Sequence, residues 1–271
     1  MKNKKRKKSF KQDKNDKSMS LKDVANRLLQ TRQQLPIYTS RKKILETIDQ
    51  YDTTVIMSET GSGKTTQIPQ FLYHYYNKKR FGLIGITQPR RIAAISVAER
   101  VSQEMATLLG QLVGYCIRFD DQTSKYTKIK YLTDGMLLRE ASQTINNFNN
   151  NNDHNNVMNI QCQQSLLEDY HTIILDEAHE RSINTDILFG LLKTVQQARK
   201  LKYPHNKEKH LKLIIMSATL IDQIDQFANY FGKQTTKTLF IKGRQHPVEI
   251  KYCIKPQVDY IDACMTTILQ I

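Results

Sequence analysis

Two short stretches hold residue types whose spacing suits phosphate chemistry. In VIMSETGSGKTTQIPQF (55–71), an apolar run leads into Ser58, Glu59, Thr60, Gly61, Ser62, Gly63, Lys64, Thr65 and Thr66, and a helix-like segment follows. Glycines at 61 and 63 let the backbone approach a phosphate and aim its N–H groups inward. Lys64 is placed to reach β and γ phosphates, and the Thr65 hydroxyl to ligate Mg²⁺. The pattern G-x-x-x-x-G-K-[ST] asks for glycine at position 58, where this chain has Ser58. That glycine eases the turn at the strand end and touches phosphate less directly than the later ones, so serine is compatible with the role. Taken alone, the stretch also reads as a Gly/Ser-rich turn before a basic helix.

The second stretch is TIILDEAHER (172–181), an apolar run ending in two acids. In an open parallel sheet, ligand chemistry sits at the carboxyl ends of strands. Asp176 is placed there to hold Mg²⁺, and Glu177 to orient and deprotonate an attacking water. Alone, Asp-Glu is an ordinary acid pair at a helix start. Together, a Gly-Lys-Thr loop and a strand-end acid pair in one domain point to nucleotide hydrolysis.

Such groups need a scaffold that brings several strand ends together. From position 54 the chain alternates short apolar strands (54–58, 83–87, 112–118, 129–133, 172–176 and 213–217) with helical stretches (64–76, 90–109, 134–144 and 185–200). Earlier helices are expected over 21–35 and 41–50, and a short one over QSLLEDY (164–170). This rhythm predicts an α/β fold, a mostly parallel sheet with helices on both faces. Several of the strands are apolar almost throughout, as strands buried on both faces are.

With these motifs in order, the chain resembles the DEAH/RHA helicases, RNA-dependent NTPases of helicase superfamily two. DEAH (176–179) is the family's name motif. TQPRRIAAISVAERV (87–101), GYCIRFDD (114–121), TDGMLLRE (133–140), SAT (217–219) and GRQHPVEI (243–250) are similar to further family blocks. The resemblance runs from LPIY (35–38) to the end. It implies a RecA-like P-loop NTPase domain that uses ATP, or other NTPs, with Mg²⁺. Residues 58–66 would hold the triphosphate, Thr65 and Asp176 the metal, and Lys64, Asp176 and Glu177 would serve catalysis. Arg100 would stack on the base. His179, Ser217 and Thr219 would couple hydrolysis to movement. Arg90, Arg91, Arg118, Thr133, Asp134 and Gly135 would face single-stranded RNA. From the residues alone, Arg90 and Arg91 are also a solvated helix start, and Thr133 and Asp134 ordinary N-cap residues. DEAD-box relatives read adenine with a glutamine motif before the phosphate loop. LPIYTSRKKIL (35–45) has no such glutamine, so base selectivity is expected to be loose.

The division expected is a disordered basic tail over 1–19, an ATP-binding domain over 20–245 and the truncated start of a second RecA-like domain over 246–271. The resemblance implies that the second domain supplies arginine fingers, and it leaves room for a protein activator. GRQHPVEI paired with KPQVDYIDA leans toward the ribosome- and nucleolus-associated branch. Rival readings are a DNA-directed helicase of the same superfamily and an RNA-binding module without turnover.

Bulk composition fits a polyanionic partner. The 271 residues carry a net charge of +15, and the tail KNKKRKKSFKQDKNDK (2–17) accounts for +7 of it. The tail reads as a nuclear or nucleolar address, an RNA-binding arm or a solubilising segment. NNFNNNNDHNNVMN (146–159) is too polar and repetitive to build a core and reads as a disordered surface insertion. No apolar run approaches the roughly 18 residues needed to cross a bilayer. Cys116, Cys162, Cys253 and Cys264 lack metal-ligand spacing and read as reduced packing thiols of an intracellular protein, nuclear or nucleolar, otherwise cytoplasmic.

Overall fold

A computed structural model describes residues 20–76, 82–146, 166–219, 224–243, 249–250, 252–253, 255–256 and 258–270. The basic tail, the Asn-rich segment after Asn146, Cys162 and residues 244–248 lie outside the described residues.

The chain opens with α1 (Leu21–Gln33), α2 (Pro36–Thr39) and α3 (Arg41–Gln50). Ser20 caps α1 in a reciprocal box with Asp23, which satisfies free N–H groups of the first turn. Alternation then begins: β1 (Thr53–Ser58), α4 (Lys64–Tyr76), β2 (Leu83–Gln88), α5 (Arg91–Glu104), β3 (Val113–Ile117), β4 (Asp120–Gln122), β5 (Ile129–Thr133) and α6 (Asp134–Asn146). After the Asn-rich segment come β6 (Tyr170–Leu175), α7 (Ile183–Lys202), β7 (Lys212–Ser217), α8 (Ile224–Phe231), β8 (Thr236–Ile241) and α9 (Tyr260–Gln270). The eight strands form one sheet in the order β4-β3-β5-β2-β6-β7-β1-β8. Every pairing is parallel except β3 with β4.

Two cores sandwich the sheet. Ile56, Ile84, Ile86, Ile174, Ile214 and Met216 pack with α2, α3, α4 and α5 on one face. Val55, Met57, Ile173, Leu175, Leu213 and Ile215 pack with α6, α7 and α8 on the other. Neighbouring residues of one strand thus enter different cores, which explains the unbroken apolar runs. Pro69 lies inside α4. It has no N–H for the carbonyl four residues back, at Thr65, and the buried Tyr131 hydroxyl donates to that oxygen at 2.9 Å.

Several sequence expectations are corrected. The long helix ends at Glu104 rather than 109, because Ala106 and Gly110 take positive φ and the chain turns into β3. The described part of QSLLEDY is not helical: Leu167 has φ 47° and Tyr170 already opens β6. Edge strands β4 and β8 were not anticipated, since they are short or half-exposed and lack a continuous apolar run. Cys116 is buried, as a packing thiol should be, but Cys253 and Cys264 are exposed.

A candidate nucleotide site and its arginine rim

The strand order places the two chemical stretches side by side. β6 and β1 flank β7, so the DEAH, SAT and Gly-Lys-Thr segments emerge from three adjacent carboxyl ends. The phosphate loop between β1 and α4 is held from within and from below. Ser62 Oγ donates to Ser58 Oγ at 2.8 Å, so the serine that replaces glycine becomes an internal strut. Gly61 and Gly63 have φ of 78° and 91°, a region costly for any side chain. A Cβ on Gly63 would lie 2.8 Å from Leu35 Cδ1, and Ile37 N–H donates to Ser62 O at 3.2 Å. The LPIY block therefore supports the loop.

Asp176 is 2% exposed. Its Oδ2 accepts from Thr65 Oγ1 at 2.5 Å and from Gln88 Nε2 at 2.6 Å, and its Oδ1 from Glu177 N–H at 2.9 Å. Burial pushes its pKa up, against the Thr65 hydrogen bond. A carboxylate so placed, beside a hydroxyl and with Lys64 near, fits a divalent cation: the two hard oxygen ligands are already together, and the ion would supply the charge that burial demands. Glu177 takes a left-handed φ of 50°, a strained setting for a residue with a Cβ. Its Oε1 lies 3.8 Å from Lys64 Nζ. Its Oε2 lies 3.4 Å from His179 Nδ1, and that nitrogen is 3.4 Å from Ser217 Oγ. Ser217 Oγ in turn accepts from Thr219 N–H at 3.2 Å. The expected base and the expected coupling residues form one line of contacts from β6 to β7.

A cleft of about 420 Å³ opens over this floor, lined among others by Thr60, Lys64, Thr66, Arg100 and Glu177. Arg100 stands at its edge, its Nε donating to Glu104 Oε1 at 2.7 Å. A larger cleft of about 1080 Å³, which includes Asp52, Tyr170 and Lys212, lies at the amino ends of the strands. It is far from the phosphate loop and on the side where parallel sheets rarely place ligand chemistry.

The residues expected to face RNA separate into two groups. Arg90, Arg91 and Arg118 are exposed at the carboxyl side of β2 and β3. Arg90 Nη2 donates to Glu180 Oε1 at 3.1 Å, tying this rim to the DEAH segment, and Arg91 Nη2 donates to Arg118 O at 2.9 Å. Asp134 does not face outward as expected. It is 4% exposed, and its Oδ2 accepts from Thr185 Oγ1 at 2.7 Å and from Ser182 Oγ at 3.3 Å, linking α6 to the start of α7. Thr133 is half-buried and Gly135 exposed.

Sequence reasoning missed Gln88, which shares Asp176 with Thr65, although it stands in the quoted TQPRR block. It also missed Phe119, 89% exposed with φ 71° at the β3–β4 hairpin tip, with Arg118 Cζ 4.8 Å from the ring centroid. Arg32, Gln67, Gln70 and Glu104 form a buried polar cluster behind Arg100. The Arg100–Glu104 spacing of four on a helix was its one local signal.

Comparison with known proteins agrees with the parallel α/β sheet. Residues 38–227 match the DEAD/DEAH box helicase family. The chain is 48% identical over 242 residues to ATP-dependent RNA helicase DHX33 of Mus musculus and 47% to that of Homo sapiens. These alignments cover 89% of this chain and 30% of each relative. It is 41% identical over 280 residues to the pre-mRNA-splicing factor ATP-dependent RNA helicase DEAH10 of Arabidopsis thaliana, covering 92% of this chain and 36% of that protein. The chain thus spans about a third of the length of these curated relatives. On its motifs, its parallel α/β sheet and this match, the chain belongs to the DEAD/DEAH box helicase family.

Proposed function

We propose that this chain is the first RecA-like, NTP-binding domain of an ATP-dependent DEAH-box RNA helicase, in which hydrolysis drives movement along single-stranded RNA. The observation that carries the reading is the Thr65–Asp176 hydrogen bond, 2.5 Å long, which fastens the phosphate loop to the DEAH strand across β7.

Each residue then has a physical task. Backbone N–H groups of residues 61–66 take the phosphate oxygens, and Lys64 neutralises the β/γ charge. Thr65 and Asp176 would hold Mg²⁺, which when bound neutralises charge on the phosphate oxygens. A γ-phosphate that draws the Lys64 ammonium onto its own oxygens leaves the Glu177 carboxylate free to take a proton from water. The left-handed backbone at Glu177 fixes that carboxylate beside both Lys64 and His179. His179 and Ser217 pass changes at Glu177 to the SAT segment. Arg90, Arg91 and Arg118 meet RNA phosphates, with the basic tail as a further electrostatic arm. Base selectivity is loose, because an arginine face stacks on any base. A second RecA-like domain would supply the opposing wall and the arginine fingers, and a protein activator would act on the pair. KNKKRKK at the amino terminus supports a nuclear or nucleolar location, otherwise a cytoplasmic one. Among the described residues no helix is long and apolar enough to cross a membrane.

The test is hydrolysis of Mg·ATP by this chain and by a protein extended to the length of its relatives, each with and without single-stranded RNA or DNA. The extended protein should show RNA-stimulated turnover and the 271-residue chain very little. RNA binding with no turnover in the extended protein would replace the enzyme reading by an RNA-binding module. Preference for DNA would redirect the substrate.

A further inference from the structure

A run of buried polar groups joins the amino-terminal helix to the edge of the nucleotide cleft. Arg32, on the last turn of α1, is 8% exposed, and Gln67, Gln70 and Glu104 are 0%, 0% and 5% exposed. The Arg32 guanidinium spends its donors on three acceptors. Nε donates to Gln67 Oε1 at 2.9 Å, Nη2 to Gln70 Oε1 at 2.6 Å, and Nη1 to the Glu104 carbonyl at 3.2 Å. A guanidinium offers donors only, so it takes the oxygen of each glutamine and leaves both NH₂ groups pointing away. Both then donate to one atom, Glu104 Oε2, at 2.8 and 2.7 Å. The same oxygen lies 3.2 Å from Arg32 Nε. The other carboxylate oxygen, Oε1, accepts from Arg100 Nε at 2.7 Å.

Arg100 is the half-exposed member of the set, its side chain 45% accessible at the cleft edge, whereas the side chain of Glu104 beneath it is 2% accessible. A long arginine on a helix surface samples many rotamers, and stacking on a base must otherwise meet that entropy. Anchoring Nε to a fixed carboxylate removes much of the cost in advance and holds the guanidinium in one plane. Swapping either glutamine amide, or losing the Arg32 fork, would turn carbonyl oxygens toward Glu104 and release the carboxylate.

We propose that Arg32 is a positioning residue for the nucleobase platform: through Gln67, Gln70 and Glu104 it fixes the plane of Arg100 on which the base of an NTP stacks. The inference rests on the reading above, that the cleft binds NTP and that Arg100 stacks on its base. It accounts for how a chain without the glutamine motif of DEAD-box relatives still orders the base side of the cleft. A residue outside every motif of the phosphate site sets affinity for the base without choosing among bases.

A purely structural role predicts something different. The cluster also touches the phosphate loop, since Gln67 Nε2 lies 2.9 Å from Thr66 Oγ1, and Thr66 Oγ1 donates to Gly63 O at 3.3 Å. If Arg32 merely tied α1 to α4 and α5, its loss would loosen phosphate and base contacts alike. The experiment therefore compares ATP with ribose 5′-triphosphate, which has the phosphates and no base. Dissociation constants for both are measured calorimetrically with Mg²⁺ on the full 271-residue chain, its Arg32→Lys and Arg32→Met variants, Arg100→Ala, and the Arg32→Lys/Arg100→Ala pair. Arg32→Lys keeps the positive charge opposite Glu104 but cannot fork to two carbonyl oxygens, so it stays informative if Arg32→Met fails to fold. The Arg32 variants should lose roughly five- to tenfold in ATP affinity, the scale of a cation–π contact, and less than about twofold for ribose 5′-triphosphate. In the Arg100→Ala background, Arg32→Lys should add no further loss. Equal losses for the two ligands, or no loss for ATP, overturns the proposal. Lys64→Ala, run alongside, should weaken both ligands together; undiminished binding there would fault the nucleotide-site reading itself and not the role of Arg32.

Discussion

Lys64, Asp176 and Ser62 are almost wholly buried, whereas Arg90, Arg91 and Arg118 stand exposed on the same side of the same sheet. The first group is cross-braced: Asp176 alone accepts from Thr65, Gln88 and the Glu177 backbone. The rim arginines make sparser contacts, such as Arg90 with Glu180 and Arg91 with the Arg118 carbonyl. The difference fits what each region is proposed to handle. Charge that develops during phosphoryl transfer is stabilised by groups fixed beforehand in a site of low dielectric. A flexible RNA backbone needs reach and positive charge in water, and exposed arginines supply both.

That contrast sets the size of each expected perturbation. The largest belongs to Glu177. Glu177→Gln keeps the shape and the Asp176 contacts but removes the proposed base, so turnover in the extended protein should fall about 100-fold or more while ATP still binds. Undiminished turnover would strip Glu177 of that role. Lys64→Ala comes next: loss of a buried charge-assisted contact should weaken ATP binding by roughly 10- to 100-fold, read by calorimetry with Mg²⁺. If a buried cation here mattered no more than a rim arginine, the contrast itself would collapse.

At the rim, single changes should act weakly and through salt. Arg118→Ala should lower affinity for labelled single-stranded RNA a few-fold and reduce the salt slope by about 0.7, with ATP affinity unchanged. A salt-independent loss would mean that Arg118 supports the fold and not RNA phosphates. The smallest effect is expected at Phe119, whose φ of 71° at an exposed hairpin tip suits glycine. Phe119→Gly should leave ATP binding alone and raise stability by about 0.5–1 kcal/mol in urea denaturation. Destabilisation would show that the aromatic ring contributes more to the hairpin than its backbone strain costs.

Much of the candidate nucleotide site was legible because the residues that suggest it are local. Gly61, Gly63, Lys64 and Thr65 lie within one turn of chain, and Asp176 and Glu177 are adjacent, so the two stretches taken together point to phosphate chemistry. Most buried strands were equally legible, since a strand covered on both faces must be apolar throughout. β8 and β4 were not, because edge strands are short or alternate with polar residues that solvent tolerates. The helix expected over QSLLEDY failed for a related reason: a short apolar run fits either element, and the pull of Tyr170 into the sheet beside β2 decided it. Asp134 looked like a site residue from its block, yet its carboxylate turns inward to α7, a direction that one-dimensional spacing does not carry.

The sequence by itself determined the α/β rhythm, the Gly-Lys-Thr loop despite Ser58, and the acid pair Asp176 and Glu177 at a strand end, because each depends on a few neighbouring residues and their period. Only the tertiary structure decided the strand order that sets β7 between β6 and β1, and so lets His179 meet Ser217. It also decided that Arg32, Gln67, Gln70 and Glu104, separated by up to 72 positions, share one buried cluster. Such contacts arise when helices pack on a common sheet face. Burial then obliges each polar group to find a partner, wherever in the chain that partner lies.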